Sequence, residues 1–308
     1  MMGSEIATRI AAIWSKALGV STLEREKRPP PENAVFEGGG GKGLVFPGAL
    51  EVLELNGIFQ KLKRVAGSSA GGIIAVLIAV GYTPKEIIHI LKYEIDFKQL
   101  MDTRVSFDPT RVFKLMGMKV GLTDIIMLFK HKGVYKGDAF EALAKKIIAR
   151  KIQEHLHLVA IKYNTTVADI LKKYDIENLG EITFSQFENL RKAYPELPFK
   201  ELYLTGTKLS DGSLKVFSAD TDPHMKMVAA LRITMSFPLG FEPVLYQGEY
   251  YIDGGVADNY PMQIFDQDKF LSHGLNEAKV NPCTIGFLVD TQAEIDARWG
   301  VKSKETKK

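Results

Sequence analysis

The segment that most constrains the fold is 64–81, RVAGSSAGGIIAVLIAVG, in which a short apolar strand passes directly into an apolar helix. Its turn, Gly67 to Gly71, has the G-x-S-x-G form of a nucleophile elbow, which presents a serine between a strand and a helix. Because glycine carries no side chain, the two elements can approach closely. Ser69 is therefore a candidate nucleophile at a helix N-terminus, where the helix dipole favours negative charge. The pentapeptide alone is equally compatible with a non-catalytic turn.

A second glycine-rich turn precedes the elbow. The strand predicted at 33–37 leads into a loop formed by Gly38, Gly39, Gly40, Gly41, Lys42 and Gly43, and a helical pattern follows. This unit and the strand at 64–67 form a βαβ arrangement, so the two strands should be parallel and the loop should lie beside Ser69. Consecutive glycines can point several backbone N–H groups into one concavity that binds an anion. Gly38 to Gly41 are therefore candidate oxyanion donors, with Lys42 and Gly43 in support.

Two nucleotide-binding motifs compete for this loop. Gly38, Gly40 and Gly43 match the G-x-G-x-x-G dinucleotide fingerprint, but the next strand ends in the serine elbow and not in the acid that would bind the ribose. A Walker phosphate loop requires Ser or Thr after Lys42, where Gly43 stands. We therefore expect an oxyanion loop and no nucleotide.

Ser69 needs a general base, because an unactivated serine is a weak nucleophile. The strongest candidate is Asp253, at the end of a strand predicted at 249–252 and followed by the turn residues Gly254 and Gly255. An alternative is a triad with His273, since Ser69, Asp253 and His273 follow the chain order of an α/β-hydrolase. Against the triad, only one strand precedes the elbow strand, and His273 lies in a polar loop. The contexts of the remaining histidines are those of ordinary surface or core residues: His89, His131, His155, His157 and His224.

In order and spacing, the glycine loop at 38–43, the elbow at 67–71 and the Asp-Gly-Gly turn at 253–255 resemble the patatin-like phospholipase family. The resemblance covers about residues 33–290, including the segment 232–244 before the aspartate. It implies an α/β fold with three α/β/α layers, a central, mostly parallel sheet, and helical lid and insert segments. Two features depart from the family. Glu37 stands where the family often has Asp, and a helical insert at about 150–195 looks longer than a minimal member needs, which leaves substrate preference open.

The same resemblance implies the chemistry. Asp253 would accept the proton of Ser69 in a Ser-Asp dyad, and water would hydrolyse the acyl-enzyme. A solvated aspartate, with a pKa of about 3.9, is a poor base for serine, so burial should raise the pKa of Asp253. The implied activity is a lipid acyl hydrolase of phospholipase A or lysophospholipase type that acts on phospholipid or lysophospholipid without a cofactor or metal. The alternative from another class is a membrane- or partner-binding module whose latent activity requires an activating protein.

The chain divides into three regions. Residues 1–32 combine an amphipathic helical pattern at 4–18 with a Pro-rich linker, 33–292 form the catalytic domain with a helical insert at about 138–195, and 293–308 form a lysine-rich tail. Between 97 and 129, short apolar helices rich in methionine carry a basic fringe. This composition favours a lid or a face that contacts a membrane, with helices packed over the sheet as an equal alternative.

Further signals predict elements around these motifs. Thr83 caps a helix with Pro84 at its first position, and Thr183 and Gln186 form a capping box. A hairpin joins strands at 200–205 and 214–217. A helix is expected near 225–232 and a buried strand at 284–289.

Composition excludes several classes of function. A formal net charge of +3, from 40 basic and 37 acidic residues, is too even for a nucleic-acid-binding protein. The single cysteine, Cys283, excludes an intrachain disulfide and a cysteine-based zinc site. The stretch 175–186 has the glycine and isoleucine of an EF-hand loop, but Leu179 and Gln186 occupy ligand positions, so no calcium site is expected. The sequence shows no signal peptide or transmembrane run, and we expect a cytoplasmic or non-classically secreted protein that is peripheral at membranes.

Overall fold

The computed structural model describes residues 29–95, 136–238, 240–274, 276 and 279–290. Three predicted features lie outside the described residues: the amphipathic helix at 4–18, the apolar segment at 97–129 and the tail at 293–308.

The core of the described chain is a seven-stranded mixed sheet in which β5, β6, β3, β2, β1 and β7 follow one another, with β4 also paired to β3. Its strands are β1 (Asn33–Phe36), β2 (Arg64–Gly67), β3 (Glu201–Lys208), β4 (Leu214–Phe217), β5 (Val244–Tyr246), β6 (Glu249–Asp253) and β7 (Thr284–Phe287). The strands β7, β1, β2 and β3 are parallel, which confirms the predicted parallel βαβ unit. The predicted hairpin is also confirmed, because β3 and β4 pair in antiparallel fashion.

The strand β3 is longer than its parallel neighbour β2. Its first half pairs with β2 up to the partners Leu204 and Gly67, and its second half pairs with the antiparallel strand β6. In this second half Gly206 lies opposite Asp253. Asp253, the last residue of β6, therefore lies near the carboxyl-terminal end of β2.

Helices flank this sheet. They are α1 (Phe46–Leu55), α2 (Ala70–Ala79), α3 (Pro84–His89), α4 (Asp138–Lys162), α5 (Val167–Lys173), α6 (Phe184–Ala193) and α7 (Met227–Thr234). The predicted cap at Thr83 with Pro84 at the first helical turn is confirmed, and so is the capping box of Thr183 and Gln186. The region predicted as a helical insert contains α4, α5 and α6.

The two faces of the sheet pack against different layers, because successive strand residues point to opposite faces. Phe36, Val65 and Leu204 belong to the large apolar core that these strands share with the seven helices α1 to α7. On the other face, Val35, Ala66 and Tyr203 pack against two 3-10 helices, Met262–Asp266 and Asp268–Phe270. A mixed, mostly parallel sheet flanked by helices confirms the predicted α/β fold class, and among the described residues short 3-10 helices supply the second layer.

Among the residues that the structure describes, every helix is too short or too polar to cross a bilayer.

Candidate active site

The turn between β2 and α2 holds Ser69 in an unusual backbone conformation, with φ 51° and ψ −127°. A positive φ is rare outside glycine and costs about 1–3 kcal/mol, so surrounding contacts must maintain it. The predicted close approach is confirmed, because a Cβ on Gly67 would overlap the backbone of Gly71, and one on Gly71 would overlap the carbonyl of Phe36. The turn therefore has the geometry of a nucleophile elbow.

One of the contacts that maintain this conformation comes from α7. The backbone N–H of Ser69 donates to Oγ1 of Thr234, the last residue of α7, at 2.9 Å. Thr234 is completely buried, and its methyl group faces Gly72, where an added Cβ would lie 2.7 Å from it. No sequence pattern singles out Thr234. The only sequence signal that includes it is the segment 232–244, which is part of the resemblance to the family.

Asp253 ends β6 and lies beside Ser69, with only 4% of its surface exposed. Burial raises the pKa of the Asp253 carboxyl to about 7, although hydrogen bonds from the Ser69 hydroxyl and the Gly255 N–H favour the ionised form. The Gly255 N–H donates to Oδ1 at 2.7 Å. The structure thus brings together the two residues that the sequence patterns place in separate motifs.

The backbone of Asp253 is anchored on both sides. Its N–H donates to the carbonyl of Ser236 at 2.9 Å, and its carbonyl accepts a hydrogen bond from Thr207 Oγ1 at 2.8 Å. Gly254 packs directly against Thr205 of β3, where an added Cβ would overlap the threonine hydroxyl. The Asp-Gly-Gly turn is therefore held tightly to the antiparallel half of β3.

The glycine loop also reaches Ser69, as predicted from the βαβ unit. A Cβ added to Gly38 would lie 2.9 Å from Cβ of Ser69, and one added to Gly43 would lie 3.0 Å from Cβ of Ala70. A 3-10 helix, Gly40–Val45, follows and contains Lys42. Its first N–H groups lack an intrahelical acceptor, as at any helix N-terminus.

The donors of the loop are not equivalent. The N–H of Gly38 donates to the carbonyl of Asn259 at 3.0 Å, so it is engaged in this conformation. The N–H of Lys42 donates to Gly39, which closes the first turn of the 3-10 helix. Gly38 is therefore removed from the predicted set of oxyanion donors, because its N–H already has an acceptor. The remaining candidates are Gly39, Gly40 and Gly41.

His273 lies near the beginning of β1, at the opposite end of the parallel strands from Ser69. Its Nδ1 is 3.6 Å from Sγ of Cys283, and the carbonyl of Cys283 accepts the N–H of Asn33 at the beginning of β1. Ser69 follows the end of β2, which is parallel to β1. A strand of four residues spans about 13 Å, so the structure does not bring His273 to Ser69. Among the other histidines, His155 packs on Phe199, and His131 lies outside the described residues.

Comparison with known proteins decides the family. The family model for patatin-like phospholipase matches residues 34–266, which include the glycine loop, the elbow and Asp253. The chain belongs to the patatin-like phospholipase family. One relative is the uncharacterized protein YqhO of Bacillus subtilis, which is 32% identical over 77% of this chain and 67% of its own length.

Two further similarities are to a viral relative and to a solved structure. The probable lipid hydrolase 463L of Invertebrate iridescent virus 6 is 26% identical over 75% of this chain and 61% of its own length. The crystal structure of VipD from Legionella pneumophila superposes with a TM-score of 0.52, at 20% identity, over 88% of this chain and 52% of VipD. This patatin-like chain thus shares its fold with VipD and spans about half of that protein's length.

Proposed function

We propose that this patatin-like chain is a lipid acyl hydrolase in which Ser69 is the nucleophile and Asp253 the general base. One observation carries the proposal: Ser69, held in the strained elbow, interacts with the buried carboxyl of Asp253, whose pKa burial raises to about 7. A base is most effective when its pKa lies near the working pH, because it is then both deprotonated and able to hold a proton. An aspartate in water, with a pKa of about 3.9, would accept the serine proton poorly.

In the first half-reaction, Ser69 Oγ attacks the carbonyl carbon of the ester while its proton passes to Asp253. The carbonyl oxygen becomes an anion, for which the N–H groups of Gly39, Gly40 and Gly41 are the proposed donors. The N-terminus of α2, which begins at Ala70, adds a favourable dipole. When the carbonyl re-forms, the bond to the alcohol breaks, and the leaving alkoxide takes the proton from Asp253.

The second half-reaction repeats these steps with water. Asp253 accepts a proton from water as the water oxygen attacks the acyl-enzyme, and the proton then returns to Ser69 as the fatty acid leaves. The strained turn and the close contacts of Gly67 and Gly71 hold the nucleophile in place throughout. No proton carrier other than Asp253 is required.

The proposed substrates are phospholipids or lysophospholipids. The family and the relative named as a probable lipid hydrolase support a lipid substrate. Because such substrates reside in bilayers or micelles, the proposal includes peripheral contact with a membrane. An activity that stays latent until another protein binds is the competing proposal.

The test compares Ser69→Ala and Asp253→Asn with the wild-type chain on p-nitrophenyl butyrate and on liposomes, with and without cell extract. Both variants should lose at least about a thousandfold in kcat. Two exposed residues in the turn between β3 and β4 provide matched controls, Ser210→Ala and Asp211→Asn, which should retain full activity.

The outcomes separate the proposals. Wild-type hydrolysis of the butyrate ester alone argues against latency, whereas hydrolysis only with cell extract supports an activating protein. Loss of activity in His273→Ala, with activity retained in Asp253→Asn, would contradict the dyad. Mass spectrometry of the products from defined phospholipids identifies the acyl position that is cleaved.

A further inference from the structure

Asn259, six residues after Asp253, connects the glycine loop to the loop that follows the aspartate. Its Nδ2 donates to the carbonyl of Gly38 at 2.8 Å and to Glu37 Oε1 at 3.1 Å. Its backbone carbonyl accepts the N–H of Gly38 at 3.0 Å. Asn259 therefore holds Gly38 through both of its backbone polar groups.

The two hydrogen bonds between Asn259 and Gly38 also set the direction of the Gly39 N–H, which is the next donor in the loop. The peptide unit between Gly38 and Gly39 is planar and trans, so the Gly38 carbonyl and the Gly39 N–H point in opposite directions. Fixing the carbonyl consequently fixes the N–H. Between two glycines such a peptide could otherwise rotate at low cost, because glycine tolerates many backbone conformations.

The same side chain abuts the loop of the aspartate. Oδ1 of Asn259 lies so close to Gly255 that an added Cβ there would be 2.6 Å away. The N–H of Gly255 is the group that donates to Asp253 Oδ1. One carboxamide thus touches both the loop of the proposed oxyanion donors and the loop of the proposed base.

Glu37 holds the side chain of Asn259 in place through a further hydrogen bond. Its Oε1 accepts from Asn259, and its Oε2 accepts the N–H of Val289, just beyond β7, at 3.0 Å. The residue before Asn259 is also anchored, because Ser68 Oγ donates to the carbonyl of Asp258 at 2.9 Å. Asn259 is therefore braced from the ends of β1, β2 and β7.

We infer that Asn259 is a positioning residue of this active site, which orients the Gly39 N–H and keeps the glycine loop in register with the Asp253 loop. The inference rests on the proposed hydrolase function. Asn259 acts through Gly38 and Gly255 and takes no proton in the reaction.

The primary test is Asn259→Asp in the full chain, assayed on p-nitrophenyl butyrate under the condition in which the wild type is active. This near-isosteric change removes both donations from Nδ2 and sets a second carboxylate beside Glu37. We expect kcat per active site to fall about tenfold to a hundredfold, with KM changed by less than about threefold, because transition-state stabilisation is lost. Active sites are counted by titration with a fluorophosphonate.

A rescue variant separates positioning from general damage. In the double variant Glu37→Gln with Asn259→Asp, the new amide can donate to the new carboxylate while its oxygen still accepts from Val289. The double variant should recover at least about threefold in kcat over Asn259→Asp alone, a non-additive result expected of residues that share a hydrogen-bond network. If Asn259→Asp does not fold, Asn259→Ser replaces it, because serine also lacks the Nδ2 donor. Its kcat per titrated site is then compared with that of the wild type.

A matched control is Asn281→Asp at the other edge of the sheet. Asn281 Nδ2 also donates to two backbone carbonyls, those of Phe265 at 2.8 Å and Phe270 at 3.1 Å. This variant should be less stable but keep its kcat per titrated site. An unchanged kcat in the Asn259 variant, or a loss matched by the Asn281 variant, would overturn the inference while leaving the hydrolase proposal intact. A wild type that cleaves no ester under any condition would instead overturn the hydrolase proposal.

Discussion

The backbone N–H of Ser69 donates a 2.9 Å hydrogen bond to Oγ1 of Thr234. The bond joins the proposed nucleophile, at the start of α2, to the end of α7. Because this N–H already donates to Thr234, the amide of Ser69 is not among the candidate oxyanion donors. The bond instead helps to retain the positive φ of Ser69 against relaxation.

Thr234→Val removes this acceptor without changing the volume of the side chain. A buried N–H then lacks a partner, which costs about 1–3 kcal/mol, and we expect kcat to fall about tenfold or more as the turn relaxes. Thr234→Ser keeps the oxygen and should retain kcat within about threefold. Urea denaturation and ester kinetics on both variants check this, and equal activity in the two would contradict a role for the bond.

The rate should depend on pH through Asp253. Since burial raises the pKa of this carboxyl to about 7, kcat/KM should rise with pH, reach half of its plateau near that value, and fall about tenfold for each pH unit below it. A base with an ordinary aspartate pKa would leave the rate flat down to about pH 5. A profile on the soluble ester distinguishes the two, and a flat profile would count against Asp253 as the base.

Asp253→Asn should make the protein more stable at alkaline pH while it abolishes activity. The folded-state pKa, about 7, exceeds the ordinary 3.8, so the native state retains a proton that the unfolded chain releases between these values. Ionisation thus destabilises the fold progressively from about pH 4 to pH 7, and the loss persists above. Asparagine cannot ionise, so the variant should gain up to about 4 kcal/mol at pH 8 relative to its difference from wild type at pH 4. Urea titrations at both pH values measure this, and a pH-independent difference would contradict it.

Gly71→Ala should disrupt the elbow. Its Cβ would overlap the carbonyl of Phe36 at the end of β1, and because the obstacle is backbone, the cost should exceed about 3 kcal/mol. Gly48→Ala is the matched control, since Gly48 lies in α1 and a Cβ added there would meet open space. That change should stabilise the protein by up to about 1 kcal/mol, as alanine favours helices. Thermal unfolding of both variants tests the contrast, and similar melting temperatures would refute it.

Several features follow from the sequence because they depend on neighbouring residues. The capping box of Thr183 and Gln186 is a local pattern of hydrogen bonds, and the strand-to-helix turn around Ser69 is a local steric pattern. The hairpin of β3 and β4 likewise follows from strand signals around a turn. In each case the controlling interactions span only a few residues.

Other features could not be read from patterns. The roles of Thr234 and Asn259 depend on side-chain to backbone hydrogen bonds between elements far apart in the chain, and neither bond has a periodic signature. His273 shows the limit of chain order as a guide. Order alone allows it in a triad with Ser69 and Asp253, whereas the fold places it near the beginning of β1, at the opposite end of the parallel strands from Ser69.

By itself, the sequence determined the elbow, the glycine loop and the parallel βαβ unit, because glycine sterics and strand-to-helix connections act locally. The resemblance implied that Asp253 acts with Ser69, but no local pattern predicts it, and only the tertiary structure brings the two residues together. Their proximity requires β3 to extend beyond β2 and the antiparallel β6 to place Asp253 near the carboxyl-terminal end of β2. The raised pKa of Asp253 has the same origin, since it results from burial by the whole surrounding fold and not from any neighbour in the chain.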